Sequence, residues 1–254
     1  MLDPDVVQES LDLLSVVPSV LEGRLSSYIP QWSAAYDNFV DAETGVPISF
    51  DLSKPYDADI LVRHTCGGSN LSINLLKKLV LQDSITDLLR QRIENIGRPF
   101  GAVHIRNTDH QSHYRPIIDQ MAGSILIPVF VAMDSLNCRQ YCETVFGRDN
   151  VIHFSTLPDQ ESPIHSNKNF RSAFERNSEA ILDLLTSALS NEYYKIPLKR
   201  DDHLEWYSGF SNLAENLMRN SDILISLLGQ TASAKVIVEK VSAWQNPNPG
   251  LRAY

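Results

Sequence analysis

The stretch Gly101-Ala102-Val103-His104-Ile105-Arg106-Asn107-Thr108-Asp109-His110 is the clearest indicator of the fold in this sequence. An apolar run changes there abruptly into polar and charged side chains, which is typical of a buried strand whose carboxyl end opens into a crevice. Ligands of open α/β sheets bind at that end. Arg106 is the first candidate ligand-binding residue, because a guanidinium can hold a diphosphate with two parallel hydrogen bonds and stays charged. The alternative is a structural arginine paired with Asp109 or with a helix C-terminus.

From Arg98 onwards, the sequence alternates between strand and helix patterns. The predicted strands are 100–106, 125–132, 151–154 and 222–228, and the predicted helices are 114–121, 136–146, 174–189, 210–218 and one opening at 229–235. Strands separated by helices of about ten residues indicate right-handed crossovers and a parallel sheet. We therefore predict an α/β protein with a Rossmann-like parallel-sheet domain over residues 98–254.

Residues 1–97 are predicted to form a smaller and possibly incomplete α/β portion. Hydrophobic spacing over residues 5–27 predicts two short helices broken at Pro18, and residues 28–58 have no clean period, which indicates irregular structure around short strands. A short buried strand at 59–64 leads into a glycine turn, which is either a plain tight turn or an anion cradle. Two helices follow and end at Gly97.

Composition narrows the possible partners and the compartment. The net charge is -9, and no clustered basic face is found, so nucleic acid and anionic membranes are not expected as partners. The three cysteines are odd in number and lack metal-ligand spacing, so we predict free thiols in a reducing compartment. Without a signal-peptide pattern or a membrane-length apolar run, we predict a cytoplasmic protein.

The sequence lacks the motifs that identify several classes of enzyme. No G-x-G-x-x-G, G-x-x-x-x-G-K-S/T, G-x-S-x-G or H-E-x-x-H occurs at the required place. His104, His110 and His113 lie close enough in sequence to suggest a metal site, but no carboxylate pair accompanies them, so this is the weaker alternative. The candidates that remain for contacts with an anion or a sugar nucleotide are Arg106, Asp134 and the turn 229–233. Taken alone, that turn is better explained as simple helix capping, which needs no ligand.

A family resemblance connects these features. His104-Ile-Arg106-Asn-Thr-Asp109, followed by Tyr114-Arg-Pro116-Ile-Ile-Asp-Gln-Met121, resembles the H-x-R-x-x-D motif and the H-P-I-E-x-x-M segment of the α1,6-fucosyltransferases, which include the nodulation-factor fucosyltransferases. Val129-Phe-Val-Ala-Met-Asp134 is similar to the family's strand ending in A-T-D. Ser221-Asp222-Ile-Leu-Ile-Ser226 and the turn after it are similar to its closing strand and S-S-Q turn. The resemblance covers roughly residues 98 to 243 in the same order.

The resemblance implies a GT-B-like fold and a metal-independent, inverting transfer of fucose from GDP-fucose to a glycan hydroxyl. It implies that residues 1–97 form the acceptor side and that no cofactor is needed. Arg106 would stabilise the GDP leaving group, which is the largest electrostatic task of the reaction. The other implied donor-binding residues are His104, Asp109, Asp134, Glu215, Gly229, Gln230, Thr231 and Ser233.

The sequence also departs from the family pattern. The family's lysine after the motif aspartate is His110 here, and its catalytic glutamate has no counterpart before Tyr114. His110 or His113 is the candidate base, since imidazole titrates in the right range. The missing glutamate leaves open a non-catalytic module that binds a sugar nucleotide or a glycan. The exposed-looking amino-terminal helices leave open a purely structural partner domain.

Overall fold

A computed structural model describes residues 11–36, 38–51, 53–64, 73–126, 128–158, 170, 172–199 and 206–245. The chain divides into two compact units, residues 1–67 and 68–254, whereas the sequence pattern placed the boundary at residue 97. The division lies earlier because the helix Asp83–Ile96 (α1) buries Leu89 and Ile93 in the core of the second unit. The glycine turn at 67–68 lies outside the described residues.

The first unit is built from short strands around a small core. Its strands are β1 (Val16–Val17), β2 (Pro30–Ser33), β3 (Asn38–Asp41) and β4 (Ile60–Leu61). β1 pairs in parallel with β4, and β2 pairs in antiparallel fashion with β3. Of the two helices predicted over residues 5–27, the described part shows Leu11 in a helix and, after β1 and Pro18, the 3-10 helix Ser19–Leu21. Among the residues of this unit that the structure describes, Val16, Leu21 and Ile48 form a buried core cluster.

The second unit contains a four-stranded parallel sheet. Its strands are β5 (Gly101–Ile105), β6 (Val129–Met133), β7 (Val151–Ile152) and β8 (Glu192–Lys195). Their spatial order is β7-β6-β5-β8, and every neighbouring pair is parallel. Counted from β5, this order is 3-2-1-4, which is compatible with a Rossmann-like fold. The sheet changes its winding direction between β5 and β8, and ligands of such sheets bind at the carboxyl edge of that switch point.

Helices cover both faces of this sheet. After α1 they are α2 (Tyr114–Met121), α3 (Leu136–Phe146), α4 (Ala173–Ala188), α5 (Gly209–Arg219), α6 (Ser221–Leu228) and α7 (Ala232–Gln245). Strand side chains alternate between the faces. Ala102 and Phe130 pack with α1 and α4 to α7, whereas Val103 and Val131 pack with α2 and α3. The result is a three-layer α/β/α unit.

The starts of three helices follow from capping residues. The Ser135, Ser172 and Ser208 hydroxyls accept hydrogen bonds from backbone N–H groups of the first turns of α3, α4 and α5. The observed bounds of α2 and α3 are those predicted from the sequence. Cys138 and Cys142 on α3 are buried thiols that take part in no disulfide bond, and Cys66 lies outside the described residues.

The predicted strand 222–228 is wrong, because this segment is helix α6. Its buried residues are Ile223, Leu224, Leu227 and Leu228, which is helical spacing, whereas a one-sided strand would bury every second residue. The fourth strand of the sheet is instead β8, which lies between the predicted helices 174–189 and 210–218, where no strand was predicted. Within the described residues, the helices are all too short or too polar to cross a membrane.

Candidate functional site

A cavity of about 270 Å³ opens at the carboxyl edge of the parallel sheet. Its walls come from the ends of β5 and β6, from Ser155 after β7, from one face of α4 and from Phe210 on α5. We call it the sheet-edge pocket. Its ionisable lining residues are His104, Arg106, Asp109, Asp134, Arg176, Glu179 and Asp183. Four of the residues predicted from the sequence are thus brought together, and three on α4 were not predicted.

Arg106 and Asp109 form a two-bond ion pair at the mouth of this pocket. Arg106 Nε donates to Asp109 Oδ1 at 2.8 Å, and Arg106 Nη2 donates to Asp109 Oδ2. The hydrogen bonds and the charge of Arg106 lower the pKa of Asp109 to about 2, so the pair is ionised at ordinary pH. A guanidinium has five N–H donors, and Asp109 takes two of them. Three donors remain, which allows Arg106 to be held by Asp109 and to bind an anion.

We predict that Asp109→Asn weakens the binding of a phosphate-bearing ligand. Loss of the partly exposed charge pair loosens Arg106, and the expected effect is about 1 kcal/mol, or about fivefold in Kd. Calorimetric titration with GDP measures it, and Asp119→Asn is the control, because Asp119 lies outside the pocket lining and accepts a hydrogen bond from Tyr141. Tighter binding by Asp109→Asn would mean that Asp109 competes with the ligand for Arg106.

His104 lies on β5 with its ring stacked on Phe210, at 4.3 Å between ring centroids. Its Nδ1 lies 2.6 Å from the Ser211 hydroxyl and 3.3 Å from the Ser208 hydroxyl. Burial, and secondarily the charge of Arg106, lowers the pKa of His104 to about 3. The imidazole is therefore neutral at physiological pH, and it offers a ligand a hydrogen bond and a flat surface but no charge.

Asp134 follows β6 and ties it to the loop after β5. Its Oδ1 accepts from the backbone N–H of Asn107 at 2.9 Å, and its Oδ2 accepts from the Thr108 hydroxyl at 2.7 Å. Burial raises the pKa of this carboxyl, and these hydrogen bonds partly offset that effect. Asp134 therefore fixes the loop that presents Arg106.

A buried ion cluster forms the α4 side of the pocket. Arg92 on α1 donates from Nη1 to Asp183 Oδ1 at 2.6 Å and from Nη2 to Glu179 Oε2. The Ser155 hydroxyl donates to Asp183 Oδ2 at 2.6 Å, and the Arg92 guanidinium lies 4.9 Å from the centre of the Phe154 ring. Burial raises the pKa of Asp183, and the charge of Arg92 opposes that shift.

The sequence contained a signal for this side of the site. Arg176, Glu179 and Asp183 are spaced three and four residues apart, so they lie on one face of a helix. Such a stripe on an amphipathic helix usually faces water. Here Glu179 and Asp183 face a buried arginine and a cavity.

Three predicted site residues lie outside the sheet-edge pocket. His110 and His113 are exposed in the loop before α2 and do not line it. Glu215 on α5 is likewise absent from the lining, because its carboxylate is paired with Lys195 and with Arg219. The structure therefore brings neither candidate base into the pocket, and it does not bring Glu215 there.

The predicted phosphate-binding turn also lies outside the pocket lining, and its residues serve the helix that follows. Thr231 Oγ1 accepts from the backbone N–H of Ala234 at 3.1 Å, which is a capping bond of α7. Ser233 Oγ accepts from Arg90 Nε at 3.1 Å and donates to Asp87 on α1. Neither Gly229 nor the exposed Gln230 lines the pocket. The capping alternative is thus the one that the structure matches.

Comparison with protein-family models, curated proteins and solved structures finds no match.

Proposed function

We propose that the sheet-edge pocket binds a GDP-linked sugar and that the protein is a metal-independent glycosyltransferase that moves fucose from GDP-fucose to a glycan hydroxyl. Residues 68–254 would be the donor domain of a GT-B-like arrangement, and the unit before it would contribute the acceptor side. The observation that carries the proposal is the position of Arg106, which follows the sheet strand next to the switch point and lines the cavity. Switch-point crevices of this fold class bind nucleotides.

The charges of the pocket favour a ligand with both phosphates and hydroxyls. The lining contains two guanidiniums, on Arg106 and Arg176, and four carboxylates, and Arg92 lies behind the α4 wall. A purely anionic ligand would be repelled by the surplus of carboxylates. A sugar nucleotide places phosphate oxygens against guanidiniums and sugar hydroxyls against carboxylates, so both sets of groups find partners.

The size of the pocket is consistent with part of such a ligand. A volume of 270 Å³ lies just below the range of about 300–1,000 Å³ that is usual for small-molecule sites. The neutral His104 ring and Phe210 supply flat apolar surfaces beside Arg106. We therefore expect the diphosphate and one ring of the ligand to lie inside and the remainder to extend outwards.

Calorimetric titration tests the proposal with GDP, GDP-fucose and, as a control, guanosine. We expect GDP and GDP-fucose to bind at micromolar to millimolar Kd and guanosine to bind more weakly, because it lacks the phosphates that pair with Arg106. Turnover is then tested by using chromatography to measure the GDP that is released from GDP-fucose. Absence of heat with both phosphorylated ligands would rule the proposal out.

A second candidate is a module that binds the sugar nucleotide without transferring the sugar. The observation in its favour is that His110 and His113, the candidate bases, do not line the pocket. Binding of GDP-fucose with no GDP release and no transfer to any glycan acceptor would favour this candidate.

A further inference from the structure

We propose that Glu179 is the general base of this reaction, a role for which the sequence supplied only the two histidines. The inference rests on the proposed function, since a base is needed only if the sugar is transferred. Glu179 lines the sheet-edge pocket, and its side chain is 27% exposed. A candidate base must be within hydrogen-bond reach of the proton it removes, so it must face the cavity in which the substrate lies.

Glu179 differs from the other pocket carboxylates in how its oxygens are engaged. Asp109, Asp134 and Asp183 each accept hydrogen bonds on both carboxylate oxygens. Glu179 receives Arg92 Nη2 and the Ser155 hydroxyl on Oε2 alone. Its Oε1 has no hydrogen-bond donor among the described residues. It is therefore the carboxylate oxygen in the pocket that is left to accept a proton from a substrate hydroxyl.

The environment holds this carboxylate in place. Arg92 is itself fixed by Asp183 and by the face of Phe154, and its side chain is 7% exposed. A base anchored through one oxygen keeps its other oxygen in a defined position, which is the condition for efficient proton transfer. Arg92 is in this account a positioning residue, because it acts through Glu179.

The chemical step balances with the groups at hand. The acceptor oxygen attacks the anomeric carbon of fucose, and the bond from that carbon to the β-phosphate oxygen breaks. The bonding electron pair leaves with GDP, whose charge Arg106 stabilises. The proton of the acceptor hydroxyl moves to Glu179 Oε1. With water as the acceptor, the same step gives free fucose and GDP.

The test compares wild type, Glu179→Gln and Glu175→Gln. Glutamine keeps a carbonyl oxygen for Arg92 but is not basic, and Glu175 lies one turn earlier on α4, outside the pocket lining. GDP-fucose with water as the acceptor is the assay, calorimetry with GDP measures binding, and thermal melting monitors folding. We expect Glu179→Gln to lower the rate of GDP release about 100-fold or more. We expect its Kd for GDP to stay within about threefold of wild type, and Glu175→Gln to behave as wild type.

The pH profile separates a base from a structural residue. If Glu179 is the base, wild-type kcat should fall at low pH, and Glu179→Gln should lack that fall. The other ionisable groups facing this site are Arg92, Asp183, Arg176, Arg106, Asp109, Asp134 and His104, and they remain in the variant. Glu179→Asp, with a shorter basic side chain, should keep part of the rate.

The outcomes distinguish the two proposals. If wild type does not bind GDP, the proposed function fails, and the role of Glu179 fails with it. If wild type binds GDP-fucose and releases GDP, but Glu179→Gln does so equally fast or keeps the acid limb of the pH profile, only the role of Glu179 is overturned. Binding of GDP-fucose with no turnover by wild type, with water or with a glycan panel, overturns it as well.

Discussion

Arg106→Gln is expected to weaken the binding of GDP at least about 100-fold. Each hydrogen bond to a charged group contributes about 1.5–3 kcal/mol. The Arg106 guanidinium donates two hydrogen bonds to Asp109 and has enough N–H donors left for two more to the diphosphate. Since about 1.4 kcal/mol corresponds to a tenfold change in Kd, two lost bonds account for the effect. Calorimetry with GDP measures it directly.

Two matched variants make this result specific. Arg106→Lys keeps the charge but loses the planar fork, so an intermediate loss is expected. Arg139→Gln removes a comparable arginine on α3 that is paired with Glu143 and lies outside the pocket lining, and it should bind GDP as wild type does. Wild-type affinity in Arg106→Gln would show that this guanidinium does not hold the diphosphate.

Arg92→Met is expected to destabilise the second unit by about 3–5 kcal/mol. The methionine fills similar space, but it leaves the buried Asp183 without its cationic partner, and an uncompensated buried charge is costly. Urea unfolding measures the change. Arg90→Met on the same helix is the control. Arg90 is 31% exposed, and its pair with Glu94 and its hydrogen bond to Ser233 together contribute at most about 2 kcal/mol, so a smaller loss is expected.

The destabilisation should depend on pH in a defined direction. Burial already raises the pKa of Asp183 above its ordinary value, and removal of Arg92 raises it further. A carboxyl whose folded-state pKa lies above its unfolded value costs stability above that folded pKa, and the cost disappears as pH falls to the unfolded value. The deficit of Arg92→Met should therefore be largest at neutral pH and shrink towards about pH 4. A deficit that is constant with pH would contradict the charge explanation.

The sheet and its flanking helices were partly predictable from the sequence for identifiable reasons. Strand β5 ends in an abrupt apolar-to-polar change, and α2 and α3 have clear starts and periodic apolar faces. Two elements were not predicted correctly. The run 222–228 is apolar and short, and such runs do not distinguish helix from strand by periodicity. The half-buried strand β8, Glu192-Tyr193-Tyr194-Lys195, contains no apolar run, so its sequence does not indicate a strand.

About half of the ionisable residues that line the pocket could be predicted from the sequence in the same way. His104, Arg106, Asp109 and Asp134 follow or end parallel strands, and the carboxyl ends of such strands meet at one edge. Glu179 and Asp183 escaped notice because their partner, Arg92, lies on α1, far away in sequence. The turn 229–233 was assigned to phosphate because capping and anion binding use the same residue types.

A crystal structure of the protein with GDP would show directly whether Arg106 holds the diphosphate. We expect density for the diphosphate in the sheet-edge pocket, within hydrogen-bond distance of Arg106, with the Arg106 to Asp109 pair retained. A diphosphate bound at the turn 229–233, or at any place away from Arg106, would contradict the proposed function.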